Sequence, residues 1–479
     1  MNPPRGSRRD LPSAATLRPY FSRPFLIVVL LAGFVTAAPA TVLLDPLLEP
    51  STTQFGYALA SMGDITGDGV PDFAVGAPFQ DGDFVSTDMG FGLPANVGKV
   101  FVIDGATLAV LSVMNDPDFE LIQSQHFGGQ LGAAISVSAD INGDGVPDLI
   151  AGVPQYIAHP ESKSLEAILG GKALVFSGQD GALLLTLNDP TAEEDGRCGA
   201  AVAALGDVNA DGTVDFAVGV PGKDIGGEEG IANVGLVYIF SGKTGALLRT
   251  LNDPPRGGAE AGAGFGSALA NAGDVNGNGA TDVFIGAPGE GRTYLFDGKS
   301  GALLLSILSP VTEAVPSFGY AVSGGQDFNR DRKPDLVVGA PLQNKFAGAA
   351  YVFDGTSGAL LNKLKSPTPQ SFARFGASVL ASADITGDRR ADIIVGAPDQ
   401  NVNAFNSAGE AFVFDGQRGR VMQTLMSETP QTHAGFGTGL TSAVFPGNSA
   451  ATAIISAPYQ DANAGGRARL ELGQIEIPQ

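Results

Sequence analysis

The sequence predicts an all-β protein, a seven-bladed β-propeller whose blades are four-stranded antiparallel sheets. A segment that begins with Phe-Gly, passes through an aspartate-rich loop and ends in Gly-Ala-Pro or Gly-Val-Pro recurs along the 479-residue chain, with a degenerate seventh copy. Each copy contains four short apolar or β-branched runs separated by turns rich in glycine. No helical periodicity appears within the copies, which argues against a helical repeat.

The repeat period selects among repeat architectures. The first loop aspartate, Asp64, and its equivalent in the seventh copy, Val444, are 380 residues apart, and six steps give a mean period near 63. Four strands per unit and a period above about 50 favour radial stacking into a propeller over a solenoid. The copies begin near residues 55, 127, 197, 265, 318, 375 and 436, so we predict one domain over residues 41–479.

The four strands of a unit follow from its residue pattern. In the first copy, Tyr57 to Met62 form the first strand, and the continuous apolar run Phe73-Ala74-Val75 forms a second strand that is covered on both faces. The third strand is aromatic and β-branched, as in Leu236 to Phe240. A turn with a glycine of positive φ then leads to the fourth strand, Leu247 to Leu251.

Two segments are candidates for completing the last blade. Residues Thr41 to Asp45, with the following proline, echo the Leu-Asn-Asp-Pro strand endings at 187–190 and 251–254. We therefore expect Thr41 to Asp45 to pair with the last blade and lock the ring. The alternative is that Gln474 to Ile477 complete that blade alone. Both alternatives give seven units.

Residues 1–40 have the pattern of an export signal. Five arginines and one acid precede the apolar run Phe25 to Val35, and Ala38-Pro39-Ala40 fits an A-x-A cleavage site. We predict cleavage after Ala40 and a secreted, cell-envelope or periplasmic protein without a transmembrane segment in the mature chain. An uncleaved anchor is the alternative. Ser7-Arg8-Arg9 is similar to a twin-arginine signal, so the Sec and Tat routes both stay open.

Composition narrows the function. Fifty acidic residues against 28 basic ones give a net charge of −22, which disfavours nucleic-acid binding. A single cysteine excludes an intrachain disulfide, and Cys198 stands where the repeat has phenylalanine, so we expect a small hydrophobe in an interblade core. The three histidines, His126, His159 and His433, lie isolated in connections away from the acidic loops.

The acidic loops carry the strongest chemical signal. The second copy has the pattern D-x-N-x-D-G-x-x-D from Asp140 to Asp148. Alternate positions of a tight loop present carboxylate and amide oxygens to a hard cation, the glycine at position six permits a sharp turn, and the carbonyl at position seven adds a ligand. Calcium suits such a flexible oxygen set better than magnesium, and the lack of Cys and His disfavours zinc and copper. The pattern is similar to the first nine positions of an EF-hand loop, without the glutamate at position twelve or flanking helices.

Six loops are predicted to bind Ca²⁺ through positions one, three, five, seven and nine. The predicted ligands are Asp64, Thr66, Asp68, Val70, Asp72, Asp140, Asn142, Asp144, Val146, Asp148, Asp207, Asn209, Asp211, Thr213, Asp215, Asp274, Asn276, Asn278, Ala280, Asp282, Asp327, Asn329, Asp331, Lys333, Asp335, Asp384, Thr386, Asp388, Arg390 and Asp392.

The six loops differ in quality. Loops one to three have three aspartates and the glycine, so they are predicted to bind most strongly. Loop four has Asn278 in place of the middle aspartate. Loops five and six have Arg332 and Arg389 where glycine belongs, which costs about 1 kcal/mol at a turn of positive φ. The seventh copy has Val444, Pro446, Asn448 and Thr452 at its acidic positions, so no site is predicted there.

These motifs, recurring together in order, resemble the FG-GAP repeat of the integrin α-subunit N-terminal propeller. The resemblance implies a seven-bladed propeller with calcium in loops between the first and second strands, opposite the usual ligand face. The sequence departs from that family in having cation loops in six blades, no stalk domains or transmembrane helix, and no segment for a partner β-subunit. Integrin-style ligand recognition is therefore not carried over.

Two functional classes remain. The first is a calcium-binding adhesion or binding scaffold that recognises a protein or glycan with long connections on one face: 79–97, 155–170, 222–234, 112–126 and 252–264. These connections are alternatively tolerated insertions. The second class is a secreted hydrolase that acts on an extracellular glycan or other polymer with acidic residues of the central channel. No nucleophile elbow or zinc motif stands apart from the metal loops, so the scaffold is favoured.

Overall fold

The computed structural model describes residues 54–80, 97–118, 128–155, 170–193, 195–226, 230–254, 261–312, 317–427, 430–445 and 450–459, and the backbone of 41–44, 85–87, 90–92 and 469–472. The predicted signal peptide, 1–40, lies outside these residues. Among the described residues, no helix has the length and apolar character needed to span a membrane.

Six blades are four-stranded antiparallel sheets whose strands follow one another along the chain. Strand β1 (Thr41–Leu44) precedes them. The first blade has β2 (Leu59–Gly63), β3 (Asp72–Ala77), β6 (Lys99–Ile103) and β7 (Val110–Met114), with the hairpin β4 (Val85–Thr87) and β5 (Gly90–Gly92) inserted after β3. The second has β8 (Ile135–Val137), β9 (Leu149–Val153), β10 (Lys172–Phe176) and β11 (Leu183–Asn188). The third has β12 (Ala201–Ala204), β13 (Phe216–Val220), β14 (Leu236–Phe240) and β15 (Leu247–Asn252).

The remaining three of these six blades repeat the same order. The fourth has β16 (Ala268–Gly273), β17 (Asp282–Ala287), β18 (Arg292–Phe296) and β19 (Leu303–Leu308). The fifth has β20 (Ala321–Gln326), β21 (Asp335–Ala340), β22 (Ala349–Phe353) and β23 (Leu360–Leu364). The sixth has β24 (Ser378–Ser382), β25 (Asp392–Ala397), β26 (Glu410–Asp415) and β27 (Arg420–Leu425). A turn of 3-10 helix, Pro288–Glu290, and the helical turn α1 (Gln343–Phe346) follow β17 and β21.

The prediction of seven such blades is corrected to six. The seventh repeat does not form a sheet of consecutive strands: β28 (Leu440–Val444) and β29 (Ala451–Ala457) join a composite sheet ordered β1–β30–β29–β28, in which β30 is Arg469–Leu472. The outer place is taken by β1, which pairs Thr41 with Leu472, so the expected pairing of the Thr41 segment is confirmed. Both chain segments are needed because a ring without free edges requires its first and last strands to pair. The alternative segment, Gln474 to Ile477, lies outside the described residues.

The blades pack face to face around a ring. The first strands contact one another in the order β2, β8, β12, β16, β20, β24, β28 and again β2. The second and third strands are buried along their length, for example β13 and β14, as the continuous apolar runs predict. Cys198 is a fully buried free thiol in the apolar cluster shared by blades two and three, which confirms its predicted place.

The register of the second repeat differs from the prediction. Gly171, Gly235, Gly348 and Gly409 each pair in parallel with the residue at the Phe position of the next unit, and Gly98 pairs in the same way with Leu131. Leu131-Gly132 is therefore the second Phe-Gly equivalent, four residues beyond Phe127-Gly128. The period alone could not locate it, because leucine replaces the diagnostic phenylalanine.

Candidate metal loops

The six acidic loops join the first and second strands of the six blades, and their first aspartate organises the backbone. Asp64 accepts hydrogen bonds from the N–H groups of Gly67 (2.7 Å), Asp68 (3.1 Å) and Gly69 (2.8 Å). Asp140, Asp274, Asp327 and Asp384 accept from the same three positions, and Asp207 from the last two. Each loop thus wraps its backbone around one carboxylate.

This wrapping requires a left-handed backbone at positions four and six. At position six the glycines have positive φ, and so do Arg332 (φ 69°) and Arg389 (φ 66°), as the sequence predicted. Position four is left-handed as well, with Ala210 and Arg330 taking φ values of 63° and 70°. The sequence analysis missed position four, although four of its six residues are glycine.

Positions three and five lie side by side. In loop two the amide nitrogen of Asn142 donates to Asp144 at 2.8 Å. The same side-chain pair forms in loops three and five, from Asn209 to Asp211 and from Asn329 to Asp331. The predicted ligands at positions one, three and five are therefore neighbours, with an amide nitrogen where calcium would require the amide oxygen.

The ninth aspartate has a structural role that sequence reasoning did not assign to it. Asp72 is fully buried and accepts the N–H groups of Ile65 (2.9 Å) and Thr66 (3.1 Å), which closes the loop. Its other oxygen accepts the N–H of Gly105 at 2.8 Å, in the turn after the third strand. The same link joins Asp148 to Gly178, Asp215 to Gly242 and Asp335 to Gly355.

The turn after the third strand is part of the site. Its first residue contacts the loop directly: Ser177 donates to Asp144 at 3.0 Å, Asn278 donates to Asp297 at 2.9 Å, and Asn329 donates to Asp354 at 2.6 Å. A recurring Asp-Gly or Ser-Gly after the third strand is the signal that could have found these residues. The first glycine of this turn is required for space, since a Cβ on Gly105 would lie 1.9 Å from the carbonyl oxygen of Pro71, whereas positive φ belongs to the second glycine, as at Gly245.

Burial raises the pKa of the ninth aspartate in each of the six loops. Desolvation raises the pKa of Asp282, Asp335 and Asp392 to about 6, against the bonds from backbone N–H groups that lower it. Desolvation also raises the pKa of Asp72, Asp148 and Asp215. Desolvation acts on Asp274 too, but the N–H groups of Gly279, Asn278 and Gly277 outweigh it and lower the pKa of that carboxyl. Each loop therefore has a well-solvated first aspartate and a buried ninth aspartate, whose ionisation costs free energy when no cation is bound.

The donor set fits a hard cation in chemistry. Every loop offers carboxylate, amide or hydroxyl oxygens, and in loop six Oδ1 of the buried Asp392 and Oγ1 of Thr386 have no hydrogen-bond partner. Within the part of the chain that the structure describes, however, no three Asp, Glu, His or Cys side chains converge enough to hold a metal ion, because the carboxylates face backbone N–H groups. A bound cation would have to draw them inward.

Two loops have a basic side chain at position seven. Lys333 reaches the neighbouring fourth loop, where its Nζ lies near Gly277. Its positive charge lowers the pKa of Asp274, by less than the backbone hydrogen bonds do. Arg390 lies 3.9 Å from Asp388. In the seventh copy Val444 ends β28, and Pro446 and Asn448 lie outside the described residues.

The opposite face holds the second-to-third-strand loops and the connections between blades. Each of the long connections predicted to bind a ligand lies partly outside the described residues, from three residues of 222–234 to nearly all of 155–170, and His126 and His159 lie outside them as well. His433 has φ 64°, and its backbone N–H donates to the carbonyl of Asn406 at 2.8 Å.

Comparison with known proteins agrees with the repeat pattern. The FG-GAP repeat family matches residues 55–103, 131–164, 265–305, 318–353 and 375–414, and its second match begins at the corrected register. The chain is 29% identical to integrin alpha-5 of Xenopus laevis over 52% of this chain and 21% of that protein. It is 30% identical to integrin alpha-V of Gallus gallus over 44% of this chain and 20% of that protein.

A different kind of relative shares more of the chain. Phosphatidylinositol-glycan-specific phospholipase D of Bos taurus is 27% identical over 76% of this chain and 46% of that protein. The matched regions thus make up about a fifth of each integrin subunit and less than half of the phospholipase.

Proposed function

The chain is an integrin-like FG-GAP β-propeller, and we propose that it is a calcium-stabilised binding scaffold that works outside the cytoplasm. The observation that carries this proposal is the six-fold recurrence of one loop geometry, in which a solvated carboxylate and a buried carboxylate flank the same turn. In loops one, two, three and five the ninth aspartate is bonded to the hairpin of its own blade, so a cation held there would brace these blades and leave the opposite face for a ligand.

Calcium is proposed because the loop oxygens match its preferences. The aspartates at positions one, five and nine, the oxygen at position three and the carbonyl at position seven would hold it. The bound ion would offset the cost of ionising the buried ninth aspartate and remove the repulsion between carboxylates. Extracellular calcium modules bind at about 10⁻⁴–10⁻³ M, so millimolar calcium adds up to roughly 1.4 kcal/mol per site.

The scaffold function is supported by the comparisons and by the repeated four-stranded sheets. The similarity extends to integrin α-subunits and to a phospholipase, so it follows the propeller rather than one reaction. The N-terminal arginines, apolar run and Ala-Pro-Ala sequence support export. In the extracellular millimolar range of calcium, sites of modest affinity would be substantially filled.

A calorimetric experiment tests the calcium proposal. The full chain is stripped with EDTA, metal removal is verified by elemental analysis, and thermal unfolding is recorded with and without millimolar calcium. We expect the melting temperature to rise markedly with calcium and to rise less with the same concentration of magnesium. An identical melt in EDTA and in calcium would refute structural calcium.

The binding role needs its own measurement. The full chain is immobilised and exposed to solubilised envelope components of the source cells, with calcium and with EDTA, and the retained molecules are identified. We expect saturable retention of a defined component through the face opposite the acidic loops. Failure to retain any component in calcium, from intact and folded protein, would contradict the scaffold function.

A further inference from the structure

A pair of stacked phenylalanines, one half-buried and one exposed, lies on the face opposite the acidic loops. Phe346 is in the second-to-third-strand loop of blade five, and Phe372 is in the connection from blade five to blade six. Their ring centroids are 5.3 Å apart with an interplanar angle of 10°, and Phe372 is 65% exposed. No apolar neighbour covers most of Phe372, although an apolar ring of this size normally buries its surface.

The backbone that carries these rings is in a sparsely populated conformation. Asn344, Lys345 and Phe346 take left-handed φ values of 52°, 60° and 64° in succession. Phe372 follows with a φ of 69° on the neighbouring segment. Residues with a left-handed backbone usually occur singly and are usually glycine or asparagine. Three in succession next to an exposed aromatic ring are therefore unusual. Such outliers persist where the surrounding structure holds them, and they concentrate at binding sites.

The surrounding structure does hold these two segments together. The N–H of Phe372 donates to the carbonyl of Lys345 at 3.3 Å, and the N–H of Arg374 donates to the carbonyl of Phe346 at 2.9 Å. These two backbone N–H groups therefore already have acceptors within the protein. A ligand would be recognised by side chains and not by strand addition, which needs free backbone groups.

Planar polar side chains lie on the segments that adjoin the aromatic pair. The guanidinium of Arg374 pairs with the carboxylate of Asp399, and both stay partly exposed, at 40% and 32% of their side chains. The side-chain amide of Gln370 holds the neighbouring backbone: its Nε2 donates to the carbonyl of Asn401 and its Oε1 accepts the N–H of Asn401, both at 3.0 Å. An apolar ring with a partly exposed carboxylate and guanidinium on adjoining segments offers one stacking surface and hydrogen-bonding groups of both kinds.

We propose that Phe346 and Phe372, with Arg374 and Asp399 at their edge, form a binding site for a neutral glycan. This proposal rests on the scaffold function above and names its ligand class. One face of a pyranose carries C–H groups that pack on the negative face of an aromatic ring, and its hydroxyls lie at the edge, where Arg374 can donate and Asp399 can accept. The net charge of −22 repels sulfated or phosphorylated polymers, and Asp399 neutralises Arg374, so the glycan is neutral.

Titration with defined sugars tests this proposal. The full chain in millimolar calcium is titrated with cellohexaose, maltohexaose, laminarihexaose and chitohexaose by isothermal calorimetry. The variants are Phe372→Ala, Phe372→Tyr, which keeps the aromatic face, and Leu303→Ala. The last is a control that removes another exposed apolar side chain, from blade four (43% exposed, against 65% for Phe372). Because Phe372 is mostly in solvent, its removal leaves the core intact, and the melting temperature verifies this.

We expect at least one hexasaccharide to bind. Phe372→Ala should weaken the affinity for that sugar about tenfold or more, whereas Phe372→Tyr and Leu303→Ala should change it less than about threefold. Binding that Phe372→Ala does not weaken would overturn the proposal, and so would no binding of any of the four sugars. Self-association that Phe372→Ala abolishes, or retention of a peptide in place of a sugar, would assign the surface to another occupant. Retention of an envelope protein without sugar binding would leave the scaffold function standing and refute only the glycan site.

Discussion

The backbone N–H of Gly105 donates to Oδ1 of Asp72 at 2.8 Å, which ties the hairpin after the third strand to the acidic loop between the first two strands. Both partners are part of the same blade, but 33 residues separate them. The contact makes the ninth aspartate a brace for the blade whether or not a cation is present. A glycine stands at this point of the turn because the carbonyl oxygen of Pro71 leaves no space for a Cβ.

Replacing Gly105 by alanine should therefore destabilise the blade. The added Cβ would lie 1.9 Å from the carbonyl oxygen of Pro71, so the turn must move and the bond to Asp72 weakens. We expect Gly105→Ala to lower the free energy of unfolding by about 2–4 kcal/mol in urea titrations. The control is Gly67→Ala, where no atom lies within 4 Å of the added Cβ and the cost is that of positive φ, about 1 kcal/mol. Equal losses in the two variants would contradict the steric explanation.

Asn278→Asp should increase the response of the protein to calcium. Without calcium, the substitution replaces the hydrogen bond from Asn278 to Asp297 (2.9 Å) by two facing carboxylates, so the melting temperature in EDTA should fall. With calcium, the added ligand should strengthen loop four, and the difference between the two melts should grow. Asn403→Asp adds the same charge on the opposite face and should leave the difference unchanged; an equal effect there would point to net charge alone.

The arginines at position six should be replaceable with a gain in stability. Arg332 and Arg389 have φ values of 69° and 66°, which glycine adopts without steric cost. We expect Arg332→Gly and Arg389→Gly each to raise the free energy of unfolding by about 0.5–1 kcal/mol in urea, in EDTA as well as in calcium. Lys299→Gly, at a turn residue without positive φ, should lower it. A loss of stability in both arginine variants would contradict the strain argument.

Removing the buried lysine between blades one and two should destabilise the protein, because the lysine compensates a buried carboxylate. Lys172 on β10 is fully buried, with Nζ 2.8 Å from Asp116 and 2.8 Å from Asp118, which follow β7 of the preceding blade. Lys172→Met leaves the buried carboxylate of Asp116 without that cation, and we expect a loss of about 3–5 kcal/mol in the free energy of unfolding. Adding Asp116→Asn should recover part of the loss in a double-mutant cycle, and strictly additive losses would show that the two residues are uncoupled.

Metal-free protein should become less stable as the pH rises from about 4 to about 6. Burial raises the folded-state pKa of Asp335 to about 6 from an ordinary value of 3.8, so the folded state holds its proton more tightly than the unfolded state. The stabilising contribution is present below pH 4 and is lost as the pH approaches 6. Urea titrations in EDTA should show a steeper decline for the wild type than for Asp335→Asn, and parallel profiles would refute this assignment.

The sequence by itself determined the repeat, the strands and the loops. The apolar run of β14, Leu236–Phe240, was predicted to the residue, because a strand covered on both faces cannot alternate with polar residues. The positive φ of Arg332 and Arg389 followed from their alignment with glycines. Local residue chemistry decides the strands and turns, and the recurrence of the pattern along the chain supplies the alignment that predicted these φ values.

Only the tertiary structure decided how the ends of the chain meet and which groups the loops face. The pairing of Thr41 with Leu472 makes the last sheet a composite and reduces the seven predicted blades to six, since that pairing joins segments more than 400 residues apart. In four loops the ninth aspartate bonds a hairpin glycine, a contact that the sequence analysis did not predict, and the stacked rings of Phe346 and Phe372 come from separate loops. These relationships depend on packing across strands and blades, which a linear pattern does not contain.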